Sequence, residues 1–377
     1  MDAKQVSREI KEKAVPRPIY AEIDIPALKH NLSVMRQKAG DRTVWAVVKA
    51  NAYGHGLETA VEAFGEADGL ATIDLCDAQR ARDAGWTKRI LLLEGFFDAT
   101  DIDPLQHLGV ETVIHSPWQI EILRSRPLED VRVHIKVNSG MNRLGFLPIE
   151  VNTVWEQLTA IKGVKIMGVV THFANAEWSY KAEDPVSVEK QLVRMGYLAH
   201  SATAACMSNS AGILWHDEVG GEGVRAGVAL YGISPDSRIS SEELNLIPAM
   251  TLAAKIIAIQ QIAPGEAVGY GSRWRAKRPS RIAVVACGYA DGYPRTMPDG
   301  APTFVEGRIA PLVGAVSMDM LEIDVTDVPE AKLGSVVELW GKNLNVNKVA
   351  AACGTIGYEL ICALARRVPL KIVQDGA

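Results

Sequence analysis

Residues 43–56 read TVWAVVKANAYGHG, a run of β-branched and apolar side chains, then one lysine, then small residues and glycines. Apolar runs of this kind suit strands that are covered on both faces. Seven more follow, over 70–73, 89–94, 111–114, 131–137, 165–172, 205–208 and 222–225, separated by helical stretches. Strands alternating with helices imply right-handed parallel crossovers, and eight such units favour a closed TIM-like (β/α)8 barrel over an open doubly wound sheet. The barrel is predicted over residues 26–240.

Past residue 240 the texture changes to alternating segments such as TLAAKIIAIQQI, RIAVVACGYADGY and APTFVEGRIAPLVGAVSMDMLEIDV, broken by Gly and Pro turns. A β-strand-rich C-terminal domain is therefore predicted over 241–377. YAEIDI has the same character, so residues 18–25 are predicted to join that domain from the other end of the chain. Within it, KVAAACGTIGYELICALARRV has helical spacing. Residues 1–17 are read as a tail, although Val6, Ile10 and Ala14 also have the spacing of a short amphipathic helix.

Composition narrows the function. A chain of 377 residues with 48% hydrophobic and 23% charged side chains can bury more than one core. The net charge of -5 is spread without a basic stripe, which argues against a nucleic-acid binder. No stretch is long enough to cross a bilayer, and MDAKQVSREIKEKAV has no apolar core of a secretory signal. Cys76, Cys206, Cys287, Cys353 and Cys362 are odd in number and lack CxxC spacing, so neither a disulfide framework nor a metal site is expected. The expectation is a cytoplasmic protein that meets small molecules or another copy of itself.

Lys49 stands where the first barrel run ends. An ammonium there is costly unless it lies on the barrel rim or is chemically used. A rim lysine is one reading; a lysine desolvated enough to form a Schiff base with an aldehyde cofactor is the other. Further polar residues fall on the same rim: His172 after the sixth run, Asn209 and Ser210 after the seventh, Arg225 at the eighth. Arg143 follows the fifth in the glycine-containing VNSGMNRLGF, which is either a ligand loop or a surface salt bridge. Ser210, Gly227 and Val228, in SNSAG and VRAGVALYG, offer hydroxyl and N–H groups to a phosphate, and no Walker or GxGxxG motif competes.

The chain closely resembles alanine racemases, particularly those of proteobacteria. The resemblance rests on AEIDIPALKHNL, AVVKANAYGHG, VNSGMNRLGF, THFANAE, SNSAG, VRAGVALYG, VGYGSRW, GYADGYPR, VSMDM and GTIGYELICAL, from about Arg17 to the C-terminus. It implies a pyridoxal 5'-phosphate enzyme that interconverts L- and D-alanine, supplying D-alanine for peptidoglycan or breaking alanine down. Lys49 would carry the cofactor and act as one base, with Tyr270 of the partner subunit as the other in a homodimer with composite sites. Arg225 would face the pyridine nitrogen, and His172 would bridge Tyr270 and Arg225. Tyr53, Ser210, Gly227, Val228 and Tyr358 would surround the phosphate, with Asn209 beside it. Arg143 and Met318 would hold the substrate carboxylate, and Asp319 would belong to the partner-side part of the site. Lys136 matches a lysine that is often carbamylated in relatives and then orients Arg143; a buried salt bridge is the plainer alternative.

Two positions depart from a common pattern: Ser317 replaces a frequent cysteine, and Cys206 stands where some members have a histidine near Arg225. A decarboxylase of basic amino acids with the same two domains would need a GGG phosphate loop, which the chain lacks. A non-catalytic cofactor carrier would not need the domain bearing Tyr270. A racemase of broader specificity shares the chemistry, but such enzymes usually carry a signal peptide.

Overall fold

The computed structural model describes residues 17–179, 183–199 and 204–374. Apart from Arg17, the tail predicted over 1–17 lies outside the described residues. The described chain forms two compact units. One contains Ile23–Met250 and Ile356–Cys362; the other contains the chain from Arg17 to Glu22, Thr251–Thr355 and Ala363–Lys371.

The chain opens with β1 (Ile19–Asp24). Asp24 then caps the helix Ile25–Ala39, its carboxylate accepting from Ala27 N at 2.9 Å, with Pro26 at the first turn and Arg36 and Lys38 in the last. Eight parallel strands follow and close on themselves: β2 (Thr43–Val47), β3 (Gly69–Thr72), β4 (Arg89–Leu92), β5 (Glu111–Ile114), β6 (Val131–Lys136), β7 (Val164–Val170), β8 (Ala205–Ser208) and β9 (Gly223–Ala226). Closure is the pairing of β2 with β9, which sets Trp45 opposite Arg225. Every predicted strand exists. The sequence runs at β2 and β7 extend to Lys49 and His172, but the strands stop at Val47 and Val170; Arg225 lies inside β9 rather than at its end.

Side chains fill the barrel near the N-terminal ends of its strands. Trp45 stacks under the Arg89 guanidinium at 4.6 Å, and Arg89 donates to Glu111 at 2.5 and 2.8 Å. Glu111 also meets His134 Nε2 at 2.7 Å. Burial alone would raise the pKa of this carboxyl; hydrogen bonds from His134 and Arg89 hold it at about 2. This end of the barrel is therefore packed and paired, which leaves the other end for chemistry.

The second unit is built on β10 (Met250–Ile262). Its first half pairs with β17 (Val336–Trp340) and its second half with β13 (Ser280–Val285), with a bulge between Ile256 and Ala258. The sheet also contains β14 (Pro302–Val305), β15 (Arg308–Pro311), β16 (Leu321–Asp324) and β18 (Leu370–Val373), and β1 lies between β10 and β18. A separate hairpin of β11 (Ala267–Val268) and β12 (Trp274–Arg275) carries Tyr270 at its tip, between Gly269 and Gly271, both at positive φ. The C-terminal stretch predicted as helical is two helices, Val346–Ala352 and Gly357–Cys362, because Gly354 turns to φ 76° between them.

Candidate active site

At the C-terminal ends of the barrel strands a cavity of about 910 Å³ is lined by Lys49, Tyr53, Lys136, Arg143, His172, Asn209, Ser210, Arg225, Gly227, Val228 and Tyr358. These are the barrel residues singled out in the sequence, together with Tyr358 from the helix Gly357–Cys362. Tyr270, Met318 and Asp319 lie in the strand-rich unit and are not among the lining residues. Tyr270 is 71% exposed and Met318 53%.

Lys49 opens a turn in which Ala50, Asn51 and Ala52 sit near φ 53°, ψ 50° and Tyr53 follows at φ 52°, a run of four non-glycine residues at positive φ. Such a turn costs roughly 1–2 kcal/mol per residue, so its surroundings must hold it. His55, fully buried, donates from Nδ1 to the carbonyls of Tyr53 and Ala52 at 2.9 and 3.2 Å. Burial pushes its pKa down to about 4, which keeps the ring neutral and the donor in place. Tyr231 stacks on both Tyr53 (4.7 Å) and His55 (4.6 Å), and its hydroxyl donates to Val47 O at 2.8 Å. Gly54 closes the turn where a Cβ would come within 2.2 Å of Ile361 O. The strain gives a prediction: Ala50→Gly, at an exposed position, should stabilise the fold by about 1 kcal/mol in urea titration, the reverse of the usual sign. An unchanged or lowered midpoint would contradict the strain.

Arg225 is buried and almost wholly engaged. Its Nη1 donates to Cys206 O (2.6 Å) and Cys206 Sγ (3.1 Å); its Nη2 reaches Thr171 O (2.5 Å), Met207 O (3.2 Å) and His172 Nδ1 (3.3 Å). Among the described residues only its Nε–H has no acceptor. A guanidinium can only donate, so His172 Nδ1 is the acceptor in that pair and the ring proton sits on Nε2. Burial, reinforced by Arg225, drives the His172 pKa well below the ordinary 6.5 and keeps the imidazole neutral.

Ser210 starts the helix Ser210–Trp215, and its hydroxyl accepts from Gly227 N (2.9 Å) and Ala229 N (3.3 Å), leaving its own hydrogen to donate. Asn209 caps that helix by accepting from Gly212 N at 3.0 Å. A Cβ on Gly227 would lie 3.0 Å from the Tyr53 hydroxyl, so a side chain there would crowd this corner of the cavity. Burial raises the pKa values of both Tyr53 and Tyr358, which remain protonated donors.

Lys136 ends β6. Its pKa falls to about 7 through burial first and then the nearby Arg225 and Arg143. No carboxylate pairs with it among the described residues, so the salt bridge considered from sequence is absent. Arg143 likewise has no ion pair there, and its loop is folded by Asn138 Oδ1, which accepts from Gly140 N and Asn142 N. The lining thus concentrates cationic and donor groups, a site shaped for anionic ligands. Sequence reading passed over His55 and Tyr231, which do not line the cavity but hold the Lys49 turn; the GHG and ALYG strings were visible, and their stacking was not.

The family models "Alanine racemase, N-terminal domain" and "Alanine racemase, C-terminal domain" match residues 23–235 and 249–372. An alanine racemase of Erwinia tasmaniensis is 46% identical over 94% of this chain and 99% of its own length. A protein of Klebsiella aerogenes described as a catabolic alanine racemase is also 46% identical, with the same coverage. Among solved structures, the biosynthetic alanine racemase of Pseudomonas aeruginosa superposes with a TM-score of 0.90 at 42% identity, covering 95% of this chain and 100% of its own. With that agreement across both units, the chain belongs to the alanine racemase family.

Proposed function

We propose that this protein interconverts L- and D-alanine with pyridoxal 5'-phosphate carried on Lys49, as a homodimer with composite sites. The observation that carries the reading is Arg225, whose protein partners leave only Nε–H free on a residue lining the cavity. The other groups suit the same cofactor: an amine for its aldehyde at Lys49, and the hydroxyls of Tyr53, Ser210 and Tyr358 with Val228 N–H for its phosphate.

When bound, pyridoxal phosphate supplies an aldehyde for alanine's amine and a conjugated ring that spreads the charge left by the departing α-proton. Lys49 Nζ takes or returns that proton on one face, and the phenol of Tyr270 of the partner subunit does so on the other. Arg225 would hold the pyridine nitrogen of the cofactor by donating from Nε–H, and would keep its proton because a guanidinium does not deprotonate here. His172, neutral with its proton on Nε2, accepts from Arg225 and donates toward the phenol oxygen of Tyr270. Arg143 and the partner's Met318 hold the carboxylate; Asp319 supports that loop. Lys136, partly unprotonated at neutral pH, can add carbon dioxide with loss of one proton. The carbamate would give Arg143 an anion to pair with.

The test is borohydride reduction of the purified protein, peptide mapping, and a chiral assay on each alanine enantiomer. Cofactor fixed on Lys49 with both enantiomers appearing is the expected result. Cofactor on Lys49 without racemisation would turn the reading toward a carrier or decarboxylase, and no fixed cofactor would overturn it.

A further inference from the structure

Two backbone N–H groups in the strand-rich unit, those of Met318 and Asp319, meet no acceptor among the described residues, although the loop they belong to is held on every other side. Its three carbonyls are all bonded: Ser317 O accepts from Tyr289 N (3.0 Å), Met318 O from Ala290 N (3.0 Å) and Asp319 O from Arg17 Nη2 (2.8 Å). Ser317 N donates to Met320 O at 2.9 Å. Gly288 lets the two loops touch, since a Cβ there would lie 2.3 Å from Ser317 O and 2.4 Å from Met318 O. Consecutive free N–H groups on a backbone held in place can act as donors to an anion.

A negative charge stands beside those donors. The carboxylate of Asp319 is half exposed and would repel any anion brought to them. Arg367 Nη2 donates to Asp319 Oδ1 at 2.7 Å and so offsets it. Arg367 is itself seated on Asp291, whose fully buried carboxylate accepts from Arg367 Nε (2.7 Å), Arg17 Nη1 (2.8 Å), Arg17 Nη2 (3.3 Å) and Gly288 N (2.9 Å). Two arginines from opposite ends of the chain, anchored on one buried acid, thus grip Asp319 by its backbone and its side chain. Arg367 staples itself to the buried Asp291, but stapling does not account for its second pair, with Asp319, in which both side chains are more than two-fifths exposed and contribute little to stability.

We infer that Arg17, Asp291 and Arg367 are positioning residues that fix loop 317–319 and neutralise Asp319, so that the free N–H groups can receive the carboxylate of alanine bound in the partner subunit. This rests on the assignment of Met318 to that carboxylate. The clamp acts on binding of the acid group and leaves the proton-transfer residues alone, so its signature is in KM.

In the holoenzyme, Arg367→Met should raise KM for both enantiomers about tenfold, with kcat within about twofold. It should weaken competitive inhibition by propionate, alanine without its amine, by the same factor. Adding Asp319→Asn to that variant should recover most of the loss, because it removes the unmatched charge; a staple would not be restored this way. Arg17→Met offers a second route to the same KM effect. Met318→Pro, which deletes one of the N–H groups, separates the two layers of the argument. If Met318→Pro raises KM while Arg367→Met changes only kcat or thermal stability, the clamp is rejected and the carboxylate assignment stands. If a folded Met318→Pro leaves KM and propionate inhibition unchanged, the assignment fails and takes the clamp with it.

Discussion

Tyr270→Phe should slow racemisation of alanine by about a thousandfold while leaving cofactor attachment at Lys49 intact. The phenol sits at the tip of the β11–β12 hairpin and is 71% exposed, so losing its oxygen disturbs no packing in its own chain. On the proposed mechanism, what is lost is the acid and base on one face of the substrate. The remaining base, Lys49, can still remove a proton from the enantiomer that presents it on the lysine's side and return one to the same face. The variant should therefore wash the α-hydrogen of one enantiomer, and only that one, into deuterated water with retention of configuration. Comparing kcat/KM in the two directions cannot reveal this, because the equilibrium between mirror images forces those values to be equal in any variant. Solvent exchange followed by proton NMR reads it directly. Exchange from both enantiomers at similar rates would mean that Tyr270 is not the second base, and undiminished racemisation would remove it from the mechanism.

Lys136→Met should make the protein more stable and much less active. The native amine has a pKa of about 7, against about 10.5 when unfolded, because burial and the neighbouring Arg225 and Arg143 penalise its charge. Between those two values the unfolded chain binds a proton that the native protein does not, so stability falls as the pH is lowered from about 10.5. The penalty is complete near and below pH 7. Methionine keeps the length and removes the charge, and in buffer depleted of carbon dioxide it should raise the thermal midpoint at pH 7 by about 4 °C. The gain should shrink steadily toward pH 10. On the proposed role of its carbamate in orienting Arg143, activity should fall roughly ten- to a hundredfold. A variant with no stability gain at pH 7 would contradict the unpaired cation, and one with full activity would remove Lys136 from the site.

The barrel was legible because most of its eight runs are dominated by apolar residues and its helices keep their own period, so local pattern and global topology agree. The strand ends were less so. Nothing in Ala50, Asn51, Ala52 and Tyr53 favours a left-handed turn, which exists because His55, Tyr231 and the helix Gly357–Cys362 impose it from outside. The rim residues of the site were legible for a topological reason: a closed parallel barrel brings the residues that end or follow its strands to one mouth, so Lys49, His172, Asn209 and Ser210 meet there however far apart they are in sequence. The exhaustion of the Arg225 donors was not legible, since it depends on three backbone carbonyls whose direction no side-chain pattern encodes. Nor was the Arg17–Asp291 pair, which joins residues 274 positions apart.

The place of β1 in its sheet has a consequence for how the protein is born. It precedes every barrel strand in the sequence, yet its two neighbours, β10 and β18, follow the whole barrel. At about 5–20 residues per second, β1 waits roughly 20–70 s for its last partner. During that time Ile19, Ala21 and Ile23, buried in the finished sheet, form one face of an unpaired strand, guarded only by Glu22 and Asp24. All eight barrel strands precede β10 and β18 in the sequence, so a nascent chain with its barrel strands complete still carries an unpaired apolar strand ahead of them, a surface that a chaperone would bind.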